Sequence, residues 1–218
     1  GEGDVNIIGE GAMRRSISEA RNNEDVKAIV LRIDSPGGNA LTSDLIWREI
    51  ELTKKVKPVV VSMGNYAASG GYYIACNANT IFAEKNTITG SIGVFGLIPV
   101  TEKFFKNKMG IVFHGEKTNA HANFPDGISK LDNEEYAVIN NAIIGIYDDF
   151  VGKVASGRGM TPEQVNEVAR GRVWTGTDAI EKGLVDEIGT LNDAILYAAS
   201  EASLTDYRVK ELPEIKDP

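Results

Sequence analysis

The chain of 218 residues is poor in the groups that build covalent or metal-bound frameworks. Its one cysteine, Cys76, excludes an internal disulfide and leaves the redox compartment open. Two histidines, His114 and His121, cannot assemble a Cys/His zinc site with a single thiol, so neither a metal nor a cofactor is expected. Basic residues are outnumbered, 23 against 31 acidic, which gives a formal net charge of −8. That balance argues against the clustered basic face of a nucleic-acid binder, and no nucleic-acid partner is expected. Charge of either sign is also missing locally. Between residues 58 and 101 only Glu84 and Lys85 are charged, where an average share would put about 11 charges. The chain has no secretory signal peptide and no initiator Met. Gly1-Glu2-Gly3 leads straight into Val5-Asn6-Ile7-Ile8, which reads as a start inside a strand of something longer.

The uncharged run 58–83 is long enough to cross a bilayer. It nevertheless holds Gly64, Asn65, Ser69, Gly70, Gly71, Asn77 and Asn79, whose polar groups would be left in lipid. The run reads instead as a buried strand–turn–helix–strand passage at the centre of a soluble domain.

Strand and helix signals alternate around it, which predicts an α/β layered fold. Residues 27–33 form a compact apolar strand ending in Asp34-Ser35-Pro36-Gly37-Gly38. A helix follows over 42–55, with Leu45, Ile46 and Ile50 on one side. Pro58 introduces a second strand, 59–63, broken by Gly64-Asn65, and further short strands are expected at 80–83 and 111–113. Residues 101–109 read as a helix closed by Gly110. From 131 the chain is mainly helical. Asp132 and Glu135 cap a long helix to about 155, whose stripe of Tyr136, Ile139, Ala142/Ile143, Ile146/Tyr147, Phe150 and Val154 is expected to bury one face. Thr161-Pro162-Glu163-Gln164 opens another helix by a capping box with Pro at its first position. Helices over 177–182 and 192–202 complete the pattern. One domain over 1–204 is expected, followed by a frayed or linker-like tail over 205–218.

Two glycine-rich turns follow two of the strands, Ser35-Pro36-Gly37-Gly38 and Ala68-Ser69-Gly70-Gly71. A serine at a strand-to-helix turn has the free N–H groups of the helix start beside its oxygen, and these can hold the charge of a tetrahedral intermediate. Each turn alone is ordinary turn chemistry. In order along the chain, however, they resemble the core of the protease IV family of signal peptide peptidases, which shares its fold with Clp protease subunits and crotonases. The resemblance continues through 89–94 (Thr-Gly-Ser-Ile-Gly-Val), 156–161 (Ser-Gly-Arg-Gly-Met-Thr), 171–176 (Gly-Arg-Val-Trp-Thr-Gly) and 179–189. It covers most of the chain.

The resemblance implies a Clp/crotonase-like α/β fold with repeated ββα units and a helical C-terminal part, carrying a Ser/Lys protease site. Ser69 is then the nucleophile, Gly37, Gly38 and Gly70 form the oxyanion and substrate-binding loops, and Ser91 orients a general-base lysine. A lysine must be neutral to take the serine proton, and burial away from charge lowers its pKa. The charge-poor middle supplies such surroundings. The family's lysine slot falls on Ala122, or on Ala120 with a shift of two residues, so Lys117 is out of register. Double-length family members take the lysine from an N-terminal half and the serine from a C-terminal half, and this chain resembles the latter. The implied partners are signal peptides as substrates, the N-terminal half of the same parent, and further copies in a tetramer-like ring. The implied location is the bacterial cell envelope, anchored upstream, with the domain on the extracytoplasmic side. Rival readings are a self-sufficient peptidase using Lys117, a non-catalytic assembly domain, and a crotonase acting on acyl-CoA, for which the acid/base carboxylates are not evident. His114 and His121 read as loop histidines, Lys85 as a surface partner of Glu84, and Tyr72 and Tyr73 as packing. Asp34 is expected to shape the Pro-Gly-Gly turn, while Arg158, Arg172 and Trp174 read as structural.

Overall fold

A computed structural model describes residues 3–4 and 7–213. In chain order its elements are β1 (Gly3–Asp4), β2 (Ile7–Ile8), α1 (Glu10–Asn22), β3 (Ile29–Ser35), α2 (Ala40–Lys54) and β4 (Val59–Ala68). Then come α3 (Gly70–Ala75), β5 (Thr80–Ala83), β6 (Ile88–Gly90) and α4 (Glu102–Phe104), which continues as a π-helical turn over Phe105–Met109. The last are α5 (Asn133–Arg158), α6 (Pro162–Val168), β7 (Val173–Thr175), α7 (Gly176–Glu181), β8 (Glu187–Ile188) and α8 (Leu191–Glu201).

The frame is a six-stranded sheet organised by β4. Along one edge β4 pairs with β3, in parallel from Ile29↔Val59 to Ser35↔Ala67. Its first half pairs with β5 and its last three residues with β6, Ala68 opposite Gly90. The sheet extends through β8 beside β5 in parallel and β7 beside β6 antiparallel. Parallel pairing demands crossovers, which α2 and α3 supply. Val59, Val60, Val61 and Met63 are fully or almost fully buried, as a central strand covered on both faces requires. Val60 and Phe82 pack with Ala194 and Ala198 of α8, so the C-terminal helix seals part of this core.

The chain divides into two compact units, residues 1–93 with 149–218 and residues 94–148. In the second, α4 is capped at its far end by Gly110 in the left-handed region (φ 69°), and Phe105 packs edge-on against Phe113.

Four expectations change. β4 is not broken at Gly64-Asn65 but runs on to Ala68. A Cβ at Gly64 would come within 2.7 Å of the Asp34 carboxyl carbon, and that carboxylate accepts the Tyr66 N–H at 3.0 Å. Asp34 thus splices β3 to β4 rather than shaping its own turn. Residues 111–113 form no strand, and their apolar side chains are exposed. The stripe on α5 is buried at Phe150 and Val154, whereas Tyr136 and Ile146 face solvent. Lys210 pairs with Glu19 of α1 at 3.3 Å. Among the described residues, no helix is long and apolar enough to cross a membrane.

Candidate active site

Ser69 sits where β4 hands over to α3, with φ 51° and ψ −118°. A side chain at positive φ pays a steric cost of about 1–3 kcal/mol, which the surrounding structure must hold in place. Two hydrogen bonds do so. The Ser69 N–H donates to the Gly90 carbonyl at 2.9 Å, and its carbonyl accepts the Tyr73 N–H at 2.8 Å, closing the first turn of α3. The serine is thereby held at a helix start.

The first glycine loop closes against this turn. Gly37 has φ 109°, and a Cβ there would lie 2.7 Å from Gly70 N and 2.8 Å from Ser69 Cβ. Only glycine satisfies both the dihedral and the approach. A Cβ at Gly70 would meet Gly38 N at 3.0 Å and Ser43 Oγ at 2.6 Å, so the amides of Gly38 and Gly70 are neighbours. Among the described residues neither of those N–H groups donates to an acceptor in the chain. Two free donors beside one hydroxyl are what an oxyanion requires. Gly37 serves by close approach, its own N–H being held by the Ser35 hydroxyl at 3.2 Å.

Ser91 enters from β6. It also has positive φ, 49°, and its N–H donates to the Arg172 carbonyl at 2.7 Å. Since Gly90 is paired with Ala68 and bonded to Ser69, the two serines flank one junction of the sheet.

Among the described residues no side chain hydrogen-bonds the hydroxyl of Ser69 or of Ser91. Two lysines of the same unit are engaged elsewhere, Lys54 on Asn77 and Lys153 on Asp44 and Asp149. Burial opposes the charge of Lys153, but its carboxylate partners outweigh it and hold its pKa above the ordinary value. Lys57 is held below that value, by burial first and by Lys27 second. It precedes β4 while Ser69 follows, a separation of roughly 33 Å along a ten-residue strand. Lys117, in the second unit, is exposed and donates to the Ala120 carbonyl at 3.4 Å.

The family model for peptidase family S49 matches residues 51–205, which include both serines and the Gly70 donor. The chain belongs to peptidase family S49. Among curated relatives, "Protease 4" of Haemophilus influenzae is 42% identical over 196 residues, covering 89% of this chain and 32% of that protein. "Serine protease SPPA, chloroplastic" of Arabidopsis thaliana is 41% identical over 217 residues, 97% of this chain and 31% of the relative. The chain therefore spans about a third of the length of these two relatives. A putative protease of Synechocystis is covered to 76% at 39% identity. A ClpP1 mutant from Listeria monocytogenes superposes with TM-score 0.59 at 17% identity, covering 85% of this chain and 86% of the other. The resemblance to protease IV and the Clp-like fold expected of it are thus both found in this S49 chain.

Around the S49 core, the residues read as structural do structural work. Arg158 grips both carboxylate oxygens of Asp186 and the Gly183 carbonyl with only 7% of its side chain exposed. Arg172 caps the end of α6 through the carbonyls of Asn166 and Ala169, and Trp174 donates to that of Val168. Tyr72 is fully buried and donates to the Leu184 carbonyl. Glu84 pairs with Arg32 at 3.9 Å, and Lys85 is exposed. His121 is a loop histidine, as expected, and it has partners. Its ring nitrogens face Glu134 at 3.0 Å and Glu135 at 3.3 Å, and with Asp132 and Glu135 it places three potential ligand atoms within 4.8 Å of one another. The two carboxylates already cap α5 reciprocally through the N–H groups of residues 132 and 135. No sequence signal joins His121 to acids 13 and 14 positions away.

Proposed function

We propose that this chain is the serine-bearing domain of an endopeptidase that degrades cleaved signal peptides. In this reading Ser69 attacks the scissile carbonyl and the N–H groups of Gly38 and Gly70 hold the oxyanion. Ser91 orients a neutral lysine that takes the Ser69 proton and passes it to the leaving amine; water then releases the acyl group by the same route. The lysine comes from an N-terminal half of the same parent protein. One observation carries the reading: a serine at a strained strand-to-helix turn, with two backbone donors near it that are free among the described residues and no base bonded to it among them. Relatives about three times as long leave ample chain to supply that lysine.

The partners are peptide substrates, the N-terminal half, and further copies in a ring-like homo-oligomer. Apolar side chains left exposed in the second unit, Phe95 at 90% and Leu97 at 89%, favour such covered surfaces. The parent works in the bacterial cell envelope, anchored through an upstream segment, with this domain on the extracytoplasmic side.

The test is cleavage of signal-peptide substrates by the full-length parent, by this chain alone, and by the two halves recombined. Activity is expected in the first and third, abolished by Ser69→Ala. Activity of the chain alone that disappears with Lys117→Ala would establish the self-sufficient alternative. Failure of the parent to cleave would leave the assembly-domain reading.

A further inference from the structure

One turn beyond Ser69, the Tyr73 hydroxyl lies 3.0 Å from Asp44 Oδ1 and 3.0 Å from Asp149 Oδ2. Lys153 joins the same two oxygens, at 3.1 Å and 2.5 Å, and stands 4.8 Å from the Trp47 ring centroid. Tyr73 is 4% exposed, with its ring against Phe150 at 4.6 Å. Four polar groups from three helices thus meet in a half-buried cluster.

The helices concerned carry the two oxyanion loops. α2 begins two residues after Gly38, with Asn39 as its cap, and α3 begins at Gly70. At their first turns the contact is by close approach alone, Ser43 and Gly38 against Gly70, because the Ser43 hydroxyl is bonded within its own helix to the Asn39 carbonyl. The Tyr73 hydroxyl, whose one proton is shared between Asp44 and Asp149, is the directional tie between α2 and α3 themselves among the described residues. The Asn77 bonds to Lys54 and Glu51 fall beyond the end of α3.

We propose that Tyr73 is a positioning residue for the oxyanion site, its hydroxyl locking α3 to α2 so that the Gly38 and Gly70 amides converge on one oxygen. The inference rests on the peptidase reading above and adds a residue to it. Oxyanion donors act only over a few tenths of an ångström around 2.7–3.1 Å, and displacement by about 1 Å is enough to cost on the order of a hundredfold in rate. The phenol is suited to the task. Burial, then the facing carboxylates, holds its pKa far above the ordinary value, so it remains a donor.

The experiment uses the full-length parent and compares wild type with Tyr73→Phe, Asp44→Asn and Asp44→Ala. Tyr73→Phe keeps the ring on Phe150 and removes only the hydroxyl. It is expected to lower kcat about tenfold with KM within about twofold. A peptide aldehyde, whose adduct with Ser69 places an oxyanion in the site, should bind weaker by a similar factor. Asp44→Asn keeps an acceptor and should stay near wild type, while Asp44→Ala should match Tyr73→Phe without adding to it in the double variant. Wild-type kcat in Tyr73→Phe, or a loss of activity that only tracks the folded fraction with aldehyde affinity unchanged, overturns the proposal and leaves the peptidase reading intact. A folded wild-type parent without Ser69-dependent cleavage overturns both.

Discussion

Gly37 and Ser69 approach so closely that a Cβ on the glycine would stand 2.8 Å from the Cβ of the serine. The first glycine loop is therefore part of the wall of the nucleophile turn. Gly37→Ala would combine a forbidding φ of 109° with contacts to the backbone at Gly70 N and Ala68 O, neither of which can swing aside. A destabilisation of about 2–4 kcal/mol is expected. Urea unfolding measures it, and labelling of Ser69 by a fluorophosphonate in the parent should fall in parallel. Undiminished stability and labelling would mean that the two loops do not close as described.

His121 gives a pH-dependent prediction. Hydrogen bonds to Glu135, then Glu134, raise its pKa above the ordinary 6.5. A group whose folded pKa is raised contributes stability that is fully present below the unfolded value and lost as pH rises through the folded one. The tie between residues 117–122 and the start of α5 should therefore loosen above pH 6.5. Proton NMR titration of the imidazole should show the raised value, and Glu135→Gln should lower it. Equal values in both proteins would remove Glu135 as the cause.

Legibility in the sequence followed how local each signal was. Thr161 and Gln164 announced a capping box three residues apart, and the structure has it, with Thr175–Asp178 and Thr190–Asp193 built the same way. Ser69 and the two glycine loops were ordinary turns taken singly and stood out only through the family resemblance of several motifs in order along the chain. The run of β4 through Gly64-Asn65 could not be read, since it depends on Asp34, which lies some thirty positions earlier in sequence and beside it in space. The strands at Ile88–Gly90, Val173–Thr175 and Glu187–Ile188 are too short to show a period of their own and exist by pairing with distant chain. The same limit hid the Tyr73 cluster, whose acids come from residues 44 and 149.

Arg158 offers a test of the scaffold apart from the chemistry. It binds Asp186, whose Oδ2 also accepts the Ile81 N–H at 2.8 Å, so one carboxylate ties α5 to the start of β5. Removing the guanidinium leaves a partly buried carboxylate unpaired, and Arg158→Ala should cost about 3 kcal/mol. Arg158→Lys should recover only part of this, because an ammonium cannot span both oxygens and the Gly183 carbonyl together. Denaturant unfolding of both variants checks the ranking. Equal stability of the two would show that charge, and not the planar fork, carries the contact.

The strain at Ser69 leads to a comparison of two inactive variants. Ser69→Ala and Ser69→Gly both delete the hydroxyl, so both should abolish cleavage by the parent. They differ only in the Cβ that φ 51° and ψ −118° accommodate poorly. Glycine adopts that conformation freely but gives back about 0.5–1 kcal/mol through the greater freedom of its unfolded chain. With roughly 1–3 kcal/mol of strain relieved, Ser69→Gly should be the more stable of the two by about 1 kcal/mol. For a domain of this size that corresponds to a thermal midpoint about 2–4 °C higher. The reverse order would mean that the turn is relaxed with a side chain present.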